Sequence, residues 1–222
     1  AAMSLWSEFL NNQQRPIHKW IHYFPIYERH FGILRDRAVT FLEIGCGEGG
    51  SLQMWKRWLG PRAKIVGLDI REECRAFGED QITIEIGDQS DPALLQRLHE
   101  TYGPFDAILD DGSHIMRHLH ASFDHLYPLM PKEGVYMVED LHTAYWDEYE
   151  GGLRRPGSFI ERCKGLIDHL NATYVREEIG SDGLPSLGFA DETWSMCFYD
   201  SIAVFERAPR RLTHAPIIGK TP

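Results

Sequence analysis

The stretch Val39-Thr-Phe-Leu-Glu-Ile-Gly-Cys-Gly-Glu-Gly-Gly50 decides the fold. Residues 39–44 form a short β-prone run, and Leu52, Trp55, Trp58 and Leu59 follow at helical spacing until Gly60-Pro61 closes the pattern. Strand, glycine turn and helix in that order open a parallel α/β sheet. The turn requires glycines because the backbone must reverse sharply and let a ligand approach the helix amino end. Gly45, Gly47 and Gly50 satisfy the dinucleotide pattern G-x-G-x-x-G, and Asp69, 20 residues past Gly49, suits a ribose diol. On these residues alone an NAD(P)-dependent oxidoreductase remains open.

Outward from that unit the rhythm continues. Strand-like runs at 64–70, 82–86, 105–110 and 135–138 alternate with helical patterns, among them Leu94, Leu95 and Leu98 behind Asp91-Pro92, and Leu119, Phe123 and Leu126 behind Ser113. Residues 154–172 read as a further helix, 180–191 as a Gly-, Ser-, Pro- and Asp-rich loop, and 194–199 with 202–205 as a closing hairpin. Upstream, Trp20, Tyr23, Phe24, Tyr27 and Phe31 recur at spacings of three and four, which predicts a helix over 17–31. Its polar-tipped His22 and Tyr23 are candidates to cover a bound cofactor. The expected architecture is one α/β domain over 1–222: a Rossmann-like, seven-stranded, mostly parallel sheet with an antiparallel terminal strand and helices on both faces. Residues 1–36 form a helical cover and 207–222 a mobile tail.

In such sheets ligands bind at the carboxyl ends of the strands, and this chain crowds acidic groups there. Phe105-Asp-Ala-Ile-Leu-Asp-Asp-Gly-Ser-His114 is an apolar run ending in two carboxylates, a glycine and an imidazole, and the run 135–138 ends in Glu139 and Asp140. Asp111, Glu139 and Asp140 are hard oxygen donors suited to Mg²⁺, Mn²⁺ or Ca²⁺. Alternatively, some of them cap helices or pair with Arg117. His114 is suited to take a proton from an alcohol; His114 and His118 also have zinc-like spacing, but no cysteine motif supports zinc. Tyr145, Trp146 and Tyr149, then Gly151-Gly152, suggest an aromatic wall with a hinge.

Bulk properties exclude several classes. A net charge of -10 opposes nucleic-acid binding. The four cysteines form no Cys-x-x-Cys pair, and no run of 18 or more apolar residues occurs, which points to a cytoplasmic protein without membrane insertion. Ala1 and Ala2 ahead of Met3 are compatible with a domain taken from a longer chain.

Three motifs together, Leu-Glu-Ile-Gly-Cys-Gly-Glu-Gly-Gly, Gly-Leu-Asp and Ile-Gly-Asp, resemble the S-adenosylmethionine (SAM) motifs of class I methyltransferases. That resemblance implies a cofactor set of Glu43, Gly45, Gly47, Asp69, Asp88, Gln89 and Asp110, with Asp69 on the ribose and Asp88 and Gln89 bracketing the adenine. Asp-Asp-Gly-Ser-His followed by Val-Glu-Asp-Leu-His-Thr-Ala-Tyr-Trp is similar to the Mg²⁺-dependent macrolide deoxysugar O-methyltransferases of the mycinamicin type, over residues 19–205. It implies that Asp111, Glu139 and Asp140 bind Mg²⁺, that His114 is the general base, and that the acceptor is a glycosylated small molecule. The expected activity is SAM-dependent O-methylation in antibiotic biosynthesis, by a possible homo-oligomer. A non-catalytic SAM-binding domain and a cephalosporin-hydroxylase-type protein are the further alternatives. Mycinamicin-type members carry an amino-terminal domain with no counterpart in these 222 residues.

Overall fold

The computed structural model describes residues 3–176, 187–209 and 215–219. Its strands are β1 (Thr40–Ile44), β2 (Lys64–Asp69), β3 (Ile82–Ile86), β4 (Ala107–Asp110), β5 (Val135–Val138), β6 (Thr193–Tyr199) and β7 (Ile202–Arg207). They form one sheet in the order β3-β2-β1-β4-β5-β7-β6, with β1 to β5 parallel and β7 antiparallel to both neighbours. This is the expected mostly parallel, seven-stranded plan. Because the chain winds outward from β1 in opposite directions, toward β2 on one side and β4 on the other, a crevice opens at the carboxyl ends of these strands.

Each face of the sheet carries its own core. Helices α1 (Leu5–Leu10), α2 (Phe24–Phe31) and α3 (Gly50–Leu59) pack with Phe41, Ile65, Leu109 and Met137. Helices α4 (Pro92–Tyr102), α5 (Met116–Leu126) and α6 (Phe159–Leu170) pack with Leu42, Ile108, Tyr136 and Phe205 on the other face. Successive strand residues point to opposite faces, so the near-continuous apolar runs of the sequence are what a sheet buried on both sides demands. Among the described residues no helix is long and apolar enough to cross a membrane.

Four expectations are corrected. The helix over 17–31 starts only at Phe24, behind a 3₁₀ turn at Ile21–Tyr23. Pro25 lacks the N–H that would bond back to the carbonyl of Ile21, and its ring clashes with that carbonyl, so no α-helix passes through it from 17. Residues 17–20 are left without helix, and Trp20 is exposed. The helix over 154–172 shortens to α6, because Gly157 has φ 89° and the Ser158 side chain caps the helix by accepting from Glu161 N. In the 180–191 loop, Leu187–Glu192 is helical (α7), and 180–186 lie outside the described residues. Arg207 belongs to β7 rather than to a tail. It is buried, its guanidinium lies 5.2 Å from the Tyr127 ring centroid, and it pairs with Glu192 at 3.3 Å. Arg210, Arg211 and Lys220 lie outside the described residues.

The second core is organised around Phe123, whose ring meets Phe205 at 4.6 Å, Tyr127 at 4.7 Å and Tyr136 at 5.2 Å. Phe123→Ala is expected to destabilise the fold by about 3–5 kcal/mol. Urea unfolding checks it, as a lower midpoint with an unchanged slope.

Candidate active site

The pleat sorts the acidic residues at the sheet edge. Glu43 shares a face with Phe41, Asp111 with Leu109, and Glu139 with Met137, so all three turn toward the α1–α3 core. Asp110 shares the opposite face with Ile108. Register brings them side by side, since Glu43 pairs with Leu109 and Asp110 with Val138 across β1, β4 and β5.

A residue that the sequence reading did not single out meets all three. Lys19, from the segment ahead of α2, inserts its ammonium against Asp111 Oδ2 at 2.6 Å, Glu139 Oε1 at 2.9 Å and Glu43 Oε1 at 3.1 Å, with 2% of its side chain exposed. The other oxygens are also held. Ser51 Oγ donates to Glu43 Oε2 at 2.6 Å, and the Tyr27 hydroxyl donates to Glu139 Oε2. Burial alone would lower the Lys19 pKa, but Asp111, Glu139, Tyr27 and Glu43 together raise it well above its ordinary value. Burial pushes the Asp111 carboxyl up to about 6 against the pull of Lys19, and burial with the neighbouring Asp111 raises Glu139. The signal for Lys19 was available: three carboxylates on one buried face require a cation.

Asp140 and His114 leave the regular backbone. Both sit in the left-handed region, at φ 58° and 59°, where non-glycine residues are strained by about 1–3 kcal/mol. Asp140 is gripped by Tyr23, whose hydroxyl donates to Oδ1 at 2.7 Å and accepts from the Asp140 amide at 3.3 Å. His114 Nε2 lies 3.5 Å from Asp140 Oδ2 and 3.7 Å from Asp111 Oδ1. Its Nδ1 is buried with no hydrogen-bond partner among the described residues. Desolvation lowers the His114 pKa below its ordinary 6.5, against the attraction of Asp140 and Glu139. Asp111, His114 and Asp140 each offer a donor atom within 4.8 Å of the others. Two hard carboxylate oxygens with the His114 Nε2 facing them are a donor set that could hold a divalent cation. Asp111 and Asp140 of the expected set meet in this group with His114, and Glu139 stands beside them, held by Lys19 and Tyr27. His118, the other half of the zinc-like spacing, turns away to Ser113 Oγ at 2.8 Å.

The crevice at the switch point holds a cavity of about 320 Å³ lined by Gly45, Gly47, Asp69, Asp88, Gln89 and Asp111, among others. A Cβ on Gly45, at φ 82°, would lie 2.0 Å from Asp111 O, so only glycine closes this turn. Asp69 accepts from Gly47 N at 2.9 Å and Arg71 N at 3.1 Å, which lowers its pKa despite burial and orients it along the cavity wall. Asp88 accepts from Ser90 N at 2.8 Å in a local turn. Gln89 lines the cavity with its amide already committed: Nε2 donates to Asp110 Oδ1 at 3.1 Å and Oε1 accepts from Ser113 N at 2.7 Å. Asp110 lies fully buried beneath it, bound also by the Tyr136 hydroxyl, and burial pushes its carboxyl up to about 6. Asp110 and Glu43 are thus supports rather than lining, and His22 and Tyr23 do not line this cavity either; His22 is exposed, with Nε2 3.3 Å from Asp200 O.

A second cavity, of about 480 Å³, adjoins the first through Gly45, Gly47 and Asp111 and is roofed by Pro16 to Lys19. A Cβ on Gly50 would lie 2.0 Å from Pro16 O, so this third glycine of the dinucleotide pattern admits the segment carrying Lys19. Beside His114, Tyr149 lies 6.3 Å away by ring centroid, Trp146 6.1 Å from Tyr149, and His142 4.9 Å from Trp146. Of the expected aromatic wall, Trp146 and Tyr149 stand together, Tyr145 lines a separate cavity, and Trp20 lies 5.8 Å from His142. The expected glycine hinge is instead a close-packing point: a Cβ on Gly151 would lie 2.5 Å from Ala144 O, and Gly152 N bonds to Ala144 O at 2.8 Å.

The sheet order and the crevice at its switch point define a class I methyltransferase fold. The chain is a homologue of O-methyltransferases over most of its own length. It is 40% identical over 200 residues, 85% of this chain and 50% of the relative, to a demethylmacrocin O-methyltransferase of Streptomyces fradiae. It is 37% identical over 212 residues, 90% of this chain and 52% of the relative, to a mycinamicin VI 2''-O-methyltransferase of Micromonospora griseorubida. The structure matches the MycE methyltransferase of the mycinamycin biosynthetic pathway, solved in complex with Mg and SAH, with a TM-score of 0.79 at 33% identity over 92% of this chain and 54% of that one. An O-methyltransferase from Bacillus cereus, at 18% identity and TM-score 0.54, shares the fold. No family model matches. The chain spans about half the length of the curated relatives it matches.

The backbone clash at Gly45 makes a direct prediction. Gly45→Ala is expected to destabilise by more than the strain of about 1–3 kcal/mol alone. Gly165→Ala, in α6 with nothing within 4 Å, is expected to be neutral or stabilising. Thermal melting of the two variants compares them.

Proposed function

We propose that this chain catalyses SAM-dependent, Mg²⁺-dependent methylation of a hydroxyl on the sugar of a glycosylated small molecule. The observation that carries the reading is the meeting of two sites at one residue: Asp111 belongs both to the glycine-turn cavity and to the group with His114 and Asp140. The homologous O-methyltransferases and the Mg and SAH of the MycE complex support the same assignment.

When bound, SAM would supply the methyl group, and the divalent ion would lower the pKa of the acceptor hydroxyl. The residues do the rest. Gly45 and Gly47 give the backbone room, the Asp69 carboxylate accepts from a ribose diol, and Asp88 bounds the far end. Asp111, Glu139 and Asp140 are the proposed oxygen ligands. His114, neutral at pH 7 because burial lowers its pKa, accepts the hydroxyl proton at Nε2, the ring nitrogen that faces Asp111 and Asp140. The wall of Trp146, Tyr149 and Trp20 excludes water and stacks the sugar face. Beyond His142 an apolar cavity of about 460 Å³, lined by Leu141, Tyr145, Ile160, Ile167 and Phe198 among others, suits the aglycone. Free thiols at Cys46, Cys74, Cys163 and Cys197 fit a cytoplasmic enzyme.

S-adenosylhomocysteine at about 100 times its Kd is expected to add about 2.7 kcal/mol of stability, read by thermal melting; no shift with or without Mg²⁺ would end this reading. Methyl transfer should rise with pH through a His114 pKa below 6.5 and be level by pH 7, since the deprotonated form is the active one. His114→Gln is expected to bind S-adenosylhomocysteine normally, lose that acidic limb, and slow turnover by about 10²–10⁴-fold.

A further inference from the structure

We infer that Lys19 is a positioning residue that stands in for the divalent ion, holding Asp111 and Glu139 in register and yielding their oxygens when the ion binds. Its three ammonium hydrogens match three carboxylate oxygens, one each from the ends of β1, β4 and β5, at 3.1, 2.6 and 2.9 Å. The ammonium is thereby saturated, and each carboxylate has a defined orientation without any other cation. Two of these oxygens, on Asp111 and Glu139, belong to the proposed ligands, and Asp111 also faces His114 and Asp140. Lys19 takes Asp111 Oδ2 and Glu139 Oε1 while His114 faces Asp111 Oδ1, and two cations drawing on the same two buried carboxylates compete for their charge.

The competition reaches further than the metal. Lys19 ends the 16–19 segment that roofs the cavity over the glycine turn, and this segment is pressed onto Gly50. Trp20, the next residue, stacks edge-on against His142 of the aromatic wall. Ion occupancy, the roof of the glycine-turn cavity and the acceptor wall are therefore linked through one side chain, and linkage of this kind is reciprocal.

The inference rests on the metal-dependent reading, and Mn²⁺ counted by the electron paramagnetic resonance of the free ion tests the two separately. Lys19→Met keeps the length and removes the charge. It is expected to bind Mn²⁺ at least about tenfold more tightly than the wild type, to melt lower than the wild type in EDTA, and to recover under saturating Mn²⁺. Lys19→Arg, which keeps the charge, should stay near the wild-type affinity. A Lys19→Met variant that folds only with Mn²⁺ and melts on chelation also supports the inference. Equal or weaker Mn²⁺ affinity in Lys19→Met, or a variant unfolded even under saturating Mn²⁺, overturns it while leaving the metal-dependent reading intact. A wild type that binds no Mn²⁺ removes both.

Discussion

One buried ammonium among three carboxylates is the contact on which the rest of this molecule depends. Glu43, Asp111 and Glu139 end three neighbouring strands on the same face of the sheet, and their mutual repulsion in a low-dielectric interior opposes the register that packing demands. Lys19 removes that conflict. Because it comes from the amino-terminal segment, the same contact also anchors the helical cover over the first core, where Tyr27 donates to Glu139 and packs against Trp55.

The opposite face solves its polar problem without charge pairing. Asp110 is as buried as Glu43, yet it is held by Gln89, Tyr136 and the Gly112 amide. The adjacent aspartates of one strand end thus have different roles: Asp110 ties the loop after β3, through Gln89, to the loop after β4, through the Gly112 amide, and Asp111 opens to the site. Their pKa values are raised for the same reason, burial, but only Asp111 has a cation, Lys19, to oppose it.

Two of the described non-glycine residues with positive φ lie at the candidate site. Asp140 and His114, both left-handed, escape the two-residue alternation of their strands and turn toward Asp111. Tyr23 makes the Asp140 conformation affordable by bonding both its carboxylate and its amide. The site is therefore assembled by the cover helix as much as by the sheet.

Much of this was legible in the chain. The run from Val39 to Gly50, the strand ends at Asp69 and Asp111, and the Glu139-Asp140 pair carried the parallel sheet and its acidic edge, because strand burial and glycine turns are local properties written in local composition. What the sequence could not determine was which acidic residues share a space. Gln89 lines the cavity with its amide bonded to Asp110 and Ser113, His22 is exposed beside Asp200, and Lys19, which no local motif marks, lies among three carboxylates. Those outcomes depend on register between strands and on where a proline stops a helix, 92 residues of chain separating Lys19 from Asp111. Local patterns determined the elements, and only tertiary packing decided which charges had to meet.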